Sequence, residues 1–281
     1  MDERPLVFLD SGIGGIPYAR FFHLRNRNEK LIYVADRENF PYGPRPRENV
    51  IELAVSLVKK IVALYDPKVL VVACNAISVS ALQALREGFP GLPVVGTVPA
   101  IKPAMEKSLK RRIGVIGTQR AVEDPYILEL AERYGPDCCF VREAAPELVE
   151  FVEHRWLAAD KAERLKAVEP WVEKFVKKDA DTLVLACTHF LLLKEEFLSA
   201  AGNDLAVFDS VEGVAKRVEF LLEEDAGKLR APSIIDAGTD VGAPIMMVTG
   251  EAPLEDHWER FSLQFGFSLG LYQGFNQEIR R

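Results

Sequence analysis

Nine short apolar runs rich in β-branched residues punctuate this chain, and longer segments of helical period separate them. They read PLVFLD, KLIYVAD, VLVVAC, LPVVGT, RIGVIGT, CCFVREA, DTLVLAC, LAVFDS and PIMMVTG, and most end in a polar or glycine-bearing turn. Runs that are apolar throughout, rather than alternating, belong to strands covered on both faces, which is the condition of a parallel sheet flanked by helices. The class is therefore α/β. A chain of 281 residues is long enough for two such domains, each with its own core.

A weak internal echo supports that division. FLDSGIGG is followed, 64 positions after its Asp10, by VVACNA; VIGTQR is followed, 69 positions after its Thr118, by LVLACTH. The spacing predicts two similar α/β halves, each bringing one cysteine to a strand end. Gly96–Ala104 reads as the crossing into the second half and Val207–Gly213 as the return. The expected domains are thus residues 1–97 plus 208–281, discontinuous, and residues 98–207.

In open parallel sheets ligands gather at the carboxyl ends of the strands. The residues to examine are Asp10, Asp36, Cys74, Thr97, Thr118, Cys187 and Asp209. The glycine-rich turn DSGIGGIP invites a dinucleotide-binding reading, but Pro17 stands where the third glycine belongs, and Asp10 would put a carboxylate where a pyrophosphate must settle. Backbone amides at that helix start, with Ser11, suit a carboxylate ligand instead.

Of the four cysteines, Cys138 and Cys139 carry no motif and read as small apolar filler. Cys74 and Cys187 each close a buried strand and precede polar residues: Asn75 in one case, Thr188 and His189 in the other. Two cysteines and one histidine lack the short pairing of a metal site, so no metal is expected. A single Cys-His nucleophile would use Cys187 with His189 and leave Cys74 idle. The four thiols are too few and scattered for a disulfide framework. A net charge of -7 argues against a nucleic-acid or anionic-membrane surface. No apolar run approaches the roughly 20 residues of a membrane span. The acidic start MDERPLVFLD lacks the basic region of a signal peptide, so a cytoplasmic location is expected.

Taken in order, DSGIGG (Asp10–Gly15), YVAD (Tyr33–Asp36), PYG (Pro41–Gly43), ACN (Ala73–Asn75), ACTH (Ala186–His189) and VTGE (Val248–Glu251) resemble the motifs of the cofactor-independent aspartate/glutamate racemases, and within them the glutamate racemases. The likeness runs over nearly the whole chain. It implies two similar α/β domains with mainly parallel sheets and an active site in the cleft between them. It also implies interconversion of L- and D-glutamate without pyridoxal phosphate, metal or nucleotide, supplying D-glutamate for peptidoglycan, in a cytoplasmic, homodimeric enzyme. Inversion needs two bases, one on each face of the substrate Cα, and by resemblance these are Cys74 and Cys187, with Asp10 assisting the first and His189 the second. Glu153 aligns with an acidic residue near the family's active site, although Glu147, Glu150 and Glu153 together also read as a solvated helix face. Ser11, Pro41, Tyr42, Gly43, Asn75, Thr118 and Thr188 are the implied substrate contacts.

The chain also departs from the pattern. Ala76 stands where the family has threonine after ACN, Ala121 where it has the second threonine after GT, and CTHFL replaces CTHYP. Both lost hydroxyls fall where carboxylate oxygens are expected, with Ser78 and Arg120 as candidate replacements. Aspartate or another small acidic amino acid is therefore the alternative substrate, and a non-catalytic binding protein the alternative class. The stretch 229–246 has no assigned role.

Overall fold

A computed structural model describes residues 2–224 and 242–271. In chain order the elements are β1 (Leu6–Asp10), α1 (Ile16–Arg25), β2 (Leu31–Ala35), α2 (Arg47–Tyr65), β3 (Val69–Val72), α3 (Asn75–Gly88), β4 (Val94–Gly96), α4 (Ile101–Lys107), β5 (Arg112–Gly117), α5 (Gln119–Glu123), α6 (Pro125–Tyr134), β6 (Cys139–Ala144), α7 (Pro146–His154), α8 (Lys161–Lys177), β7 (Thr182–Ala186), α9 (Lys194–Ala201), β8 (Ala206–Phe208), α10 (Val211–Glu224), β9 (Ile245–Val248), α11 (Asp256–Phe265) and β10 (Ser268–Leu271). Of the unassigned stretch 229–246, residues 229–241 lie outside the described residues, and its last two begin β9.

The chain divides into two compact units, residues 1–97 with 211–281, and residues 98–210. The first holds a six-stranded sheet ordered β10-β9-β2-β1-β3-β4, the second a four-stranded sheet ordered β6-β5-β7-β8. Every strand pair is parallel. Written side by side, β2-β1-β3-β4 and β6-β5-β7-β8 are the same order, so the spacing echo in the sequence corresponds to a repeated topology. The class is α/β.

In both units the first strand of the repeat lies beside the strand that ends in a cysteine: β1 beside β3, β5 beside β7. The chain leaves β1 toward β2 on one side and returns to β3 on the other, and likewise around β5. That reversal opens a crevice at the carboxyl ends of the two neighbouring strands. Asp10 and Cys74 stand at the first reversal, Thr118 and Cys187 at the second. The central strands β1, β3 and β7 are buried along their whole length, as continuous apolar runs require.

Two features depart from the sequence reading. Cys139 is exposed because β6 is an edge strand with only partial cover, so it is not core filler; Cys138, just before β6, is half-buried and packs against the apolar cluster of its unit. The strand β10 was not expected, since SLGL has no sustained apolar run. Among the described residues, no helix is long and apolar enough to cross a membrane.

The amino ends of β2 and β3 are tied by a buried ion pair. Lys68 Nζ lies 2.5 Å from Glu29 Oε2, both side chains almost fully enclosed, and also donates to the Asp2 carbonyl at 2.9 Å. Removing one member of such a pair strands a charge in low dielectric. Lys68→Met is expected to cost about 3–5 kcal/mol of folding stability in urea melts, while the sites at the opposite strand ends keep their geometry. An unchanged urea midpoint would show that the pair contributes nothing net.

Candidate active site

The first centre is built around the turn after β1. Asp10 is fully buried, and its Oδ1 accepts from the Gly12 backbone N–H at 2.8 Å and from the Ser11 hydroxyl at 3.2 Å. The glycine at position 15 is dictated by close approach: a Cβ there would lie 2.7 Å from Asp10 Oδ2 and 2.8 Å from the Ala73 carbonyl oxygen. Cys74 follows β3 in extended conformation and stands at the N-cap position of α3. Its thiol donates to the Ser11 oxygen at 3.6 Å. Ser11 is therefore hydrogen-bonded to both Cys74 and Asp10, a short path for a proton between thiol and carboxylate.

Asn75 is 3% exposed, and its side-chain carbonyl Oδ1 has no hydrogen-bond partner among the described residues. An enclosed acceptor of this kind is costly unless a ligand donor meets it. Ala76 packs its methyl into the same apolar cluster as Tyr42, Cys74 and Ile77. Ser78 does not replace the missing threonine hydroxyl: its oxygen donates toward the Val72 carbonyl or the Thr97 hydroxyl and accepts from the Thr97 N–H.

Tyr42 follows the cis peptide Phe40–Pro41 and is buried, with Gly43 half-buried beside it and Pro41 exposed. Its hydroxyl donates to Asp36 Oδ2 at 2.5 Å. Burial, and then the neighbouring Asp36 charge, push the phenol far above its usual range, so it stays protonated. The hydroxyl being committed to Asp36, what this turn offers a ligand is its backbone. Asp36 is one of the strand-end residues that the sequence marks for examination; Thr249, inside the VTGE motif and given no role there, donates to Asp36 Oδ1 at 2.7 Å.

The second centre gathers at the end of β7. Cys187, Thr188 and His189 are all buried, the last two opening the 3-10 turn Thr188–Leu193. Cys187 Sγ lies 3.7 Å from His189 Nδ1, and His189 Nε2 lies 2.6 Å from Glu153 Oε1. Burial alone would favour the neutral ring, but the hydrogen bonds with Cys187 and with Glu153 outweigh it and raise the imidazole well above its ordinary value. As imidazolium, the ring donates through both nitrogens. Glu153 is enclosed on α7 while Glu147 and Glu150 on the same helix are exposed, so the three do not share one environment. The Trp156 indole N–H, bonded to the Leu192 carbonyl at 2.8 Å, ties the segment after α7 to the 3-10 turn and so holds Glu153 near His189.

Thr118 is half-buried and caps α5, its oxygen accepting from the Ala121 N–H at 3.3 Å. Its hydroxyl hydrogen remains available to a ligand oxygen. Ala121 is fully buried, and Arg120 beside it half-buried. Among the described residues, no group of three or more His, Cys, Asp or Glu side chains is arranged to hold a metal ion.

Each unit thus places a buried thiol after the strand that lies beside the first strand of its repeat, with Asp10 linked to Cys74 through Ser11 in one unit and His189 beside Cys187 in the other. A family model described as Asp/Glu/Hydantoin racemase matches residues 22–218. The chain is 40% identical over 216 residues to the glutamate racemase of Treponema pallidum, spanning 77% of this chain and 80% of that one. It superposes with a TM-score of 0.80 and 32% identity on Escherichia coli glutamate racemase, solved in complex with L-glutamate and the activator UDP-MurNAc-ala, covering 95% of this chain and 97% of that one. Glutamate racemase isoform RacE1 of Bacillus anthracis gives a TM-score of 0.81 at 27% identity, covering 97% and 98%. The chain belongs to the Asp/Glu/hydantoin racemase family and is an isomerase.

Proposed function

We propose that this protein interconverts L- and D-glutamate by a two-base mechanism, with Cys74 and Cys187 as the bases, and that it supplies D-glutamate for peptidoglycan. The observation that carries this reading is the equivalence of the two centres, each ending the strand next to the first strand of its repeat. One base would remove the Cα hydrogen as a proton, and the other thiol would return a proton to the opposite face.

The two partners suit this traffic differently. On one side the Cys74 proton has a route through Ser11 to Asp10. On the other, the His189 imidazolium donates toward Cys187 and is held by Glu153. The unpartnered Asn75 carbonyl suits a donor such as the substrate ammonium, and the backbone of Tyr42 and Gly43, with the Thr118 and Thr188 hydroxyls, suits its carboxylates. The family resemblance carries with it a cytoplasmic homodimer.

The test is proton NMR of the purified protein with L-glutamate, and separately D-glutamate, in heavy water without added cofactor, followed by chiral analysis. Loss of the Cα signal with inversion from both enantiomers is expected. No exchange with either would overturn the glutamate reading. Ala76 and Ala121 favour a second reading, in which the same chemistry acts on aspartate or another small acidic amino acid; faster turnover of such a substrate in the same assay would establish it.

A further inference from the structure

The segment after β9 is bound to the end of β2 in a way the two-base scheme leaves unused. Pairing of Ala35 with Val248 brings Thr249 alongside Asp36, and the Thr249 N–H donates to the Ala35 carbonyl at 3.0 Å. The buried Thr249 hydroxyl works in both directions: it donates to Asp36 Oδ1 at 2.7 Å and accepts from the Glu38 N–H at 3.1 Å. Arg37 straps the following residues, donating to the Thr249 carbonyl at 3.2 Å and the Glu251 carbonyl at 2.5 Å, and pairing with Glu255 at 2.8 Å. Gly250, at φ +99°, lies where a Cβ would come within 2.7 Å of the Arg37 guanidinium.

Asp36 is the hub of this arrangement. It is a buried carboxylate whose two oxygens take three side-chain donors: Thr249, the Asn39 amide at 3.0 Å, and Tyr42 at 2.5 Å. Tyr42 in turn belongs to the apolar cluster that includes Cys74 and Ala76.

We propose that Thr249 is a positioning residue for the Cys74 centre: its hydroxyl holds Asp36, Asp36 holds Tyr42, and Tyr42 fixes the Pro41–Gly43 turn beside Cys74. The proposal rests on Cys74 being one of the two bases. A buried carboxylate that loses a donor draws its remaining donors into a new arrangement, and the two that remain here are the Asn39 amide and the Tyr42 hydroxyl that carries the turn. Small displacements of groups that position a substrate are costly in rate, up to about a hundredfold for 1 Å.

The test compares Thr249→Val, which keeps the shape and removes the hydroxyl, with Thr249→Ser, which restores it. Turnover is measured in both directions, and alkylation of Cys74 and of Cys187 by iodoacetamide is followed separately across the neutral pH range by mass spectrometry of the two peptides. In Thr249→Val, kcat is expected to fall about tenfold or more, and the pH profile of Cys74 alkylation to move while that of Cys187 stays in place. Thr249→Ser is expected to recover both. Tyr42→Phe breaks the far end of the same chain of hydrogen bonds with Thr249 intact, and is expected to give the same Cys74-selective change, which keeps the test decisive if Thr249→Val folds poorly. The proposal is overturned if Cys74 reacts as in the parent, if both thiols change together, or if serine fails to rescue. A parent protein that does not racemise glutamate would overturn the functional reading alone, because the alkylation readout needs no turnover.

Discussion

Under the proposed two-base scheme, Cys74→Ala and Cys187→Ala are each expected to reduce net inversion of glutamate by about a thousandfold or more, yet to retain exchange of the Cα hydrogen in one enantiomer, opposite for the two variants. The loss is large because a two-base inversion cannot be completed from one face, and a positioned base alone contributes about 10²–10⁴. Exchange is expected to survive because, in that scheme, the remaining thiol would still remove the proton that faces it and return deuterium from heavy water to the same face. Both cysteines are buried at strand ends, so the alanine variants leave only small voids and are expected to fold with losses of about 1 kcal/mol. Measurement requires only Cα-proton NMR and chiral chromatography of each variant with each enantiomer. Exchange of both enantiomers by either variant, or parent-rate inversion by one of them, would remove that thiol from its role as a base.

The fold was legible in the sequence because a parallel sheet buries its central strands on both faces. Nine apolar runs became β1–β9, and the spacing from Asp10 to Cys74 and from Thr118 to Cys187 corresponds to the repeated strand order. The strand β10 was hidden because SLGL mixes glycine and serine into a short edge element. Cys139 looked like core because the strand pattern says nothing about which strand lies at an edge.

The sites were legible in part. Residues at strand ends could be picked out because sheet topology sends ligands there, and Asp36 was among them. Its partner Thr249, 213 positions away, could not be paired with it, since that contact depends on β9 joining the sheet beside β2. Glu153 shows the same limit: on α7 it follows two exposed glutamates at helical spacing, and only the approach of His189, 36 positions on, separates it from a solvated face.

That approach also carries the second large effect. Glu153→Gln is expected to move the alkaline limb of the kcat–pH profile to lower pH and to cut turnover at pH 8 by roughly a hundredfold. The reasoning runs through the imidazole. Burial opposes the charged ring, and hydrogen bonds with Cys187 and Glu153 overcome that opposition, keeping His189 protonated well above its ordinary value. Without the Glu153 charge, burial has less to oppose it, the ring loses its proton at lower pH, and its capacity to act as an acid disappears in a range where the parent still has it. Stability follows the same ionisation. Because the folded-state value is raised, the imidazolium contributes its full stabilisation below about pH 6.5, the ordinary histidine value, and loses it as pH rises through the raised value. The gap in stability between parent and Glu153→Gln is therefore expected to be widest near about pH 6 and to narrow on the alkaline side. His189→Asn, with no ionisation to lose, is expected to be slow at every pH and to lack this alkaline limb. Coincident pH–rate profiles for the parent and Glu153→Gln would show that the 2.6 Å contact does not control the protonation of His189.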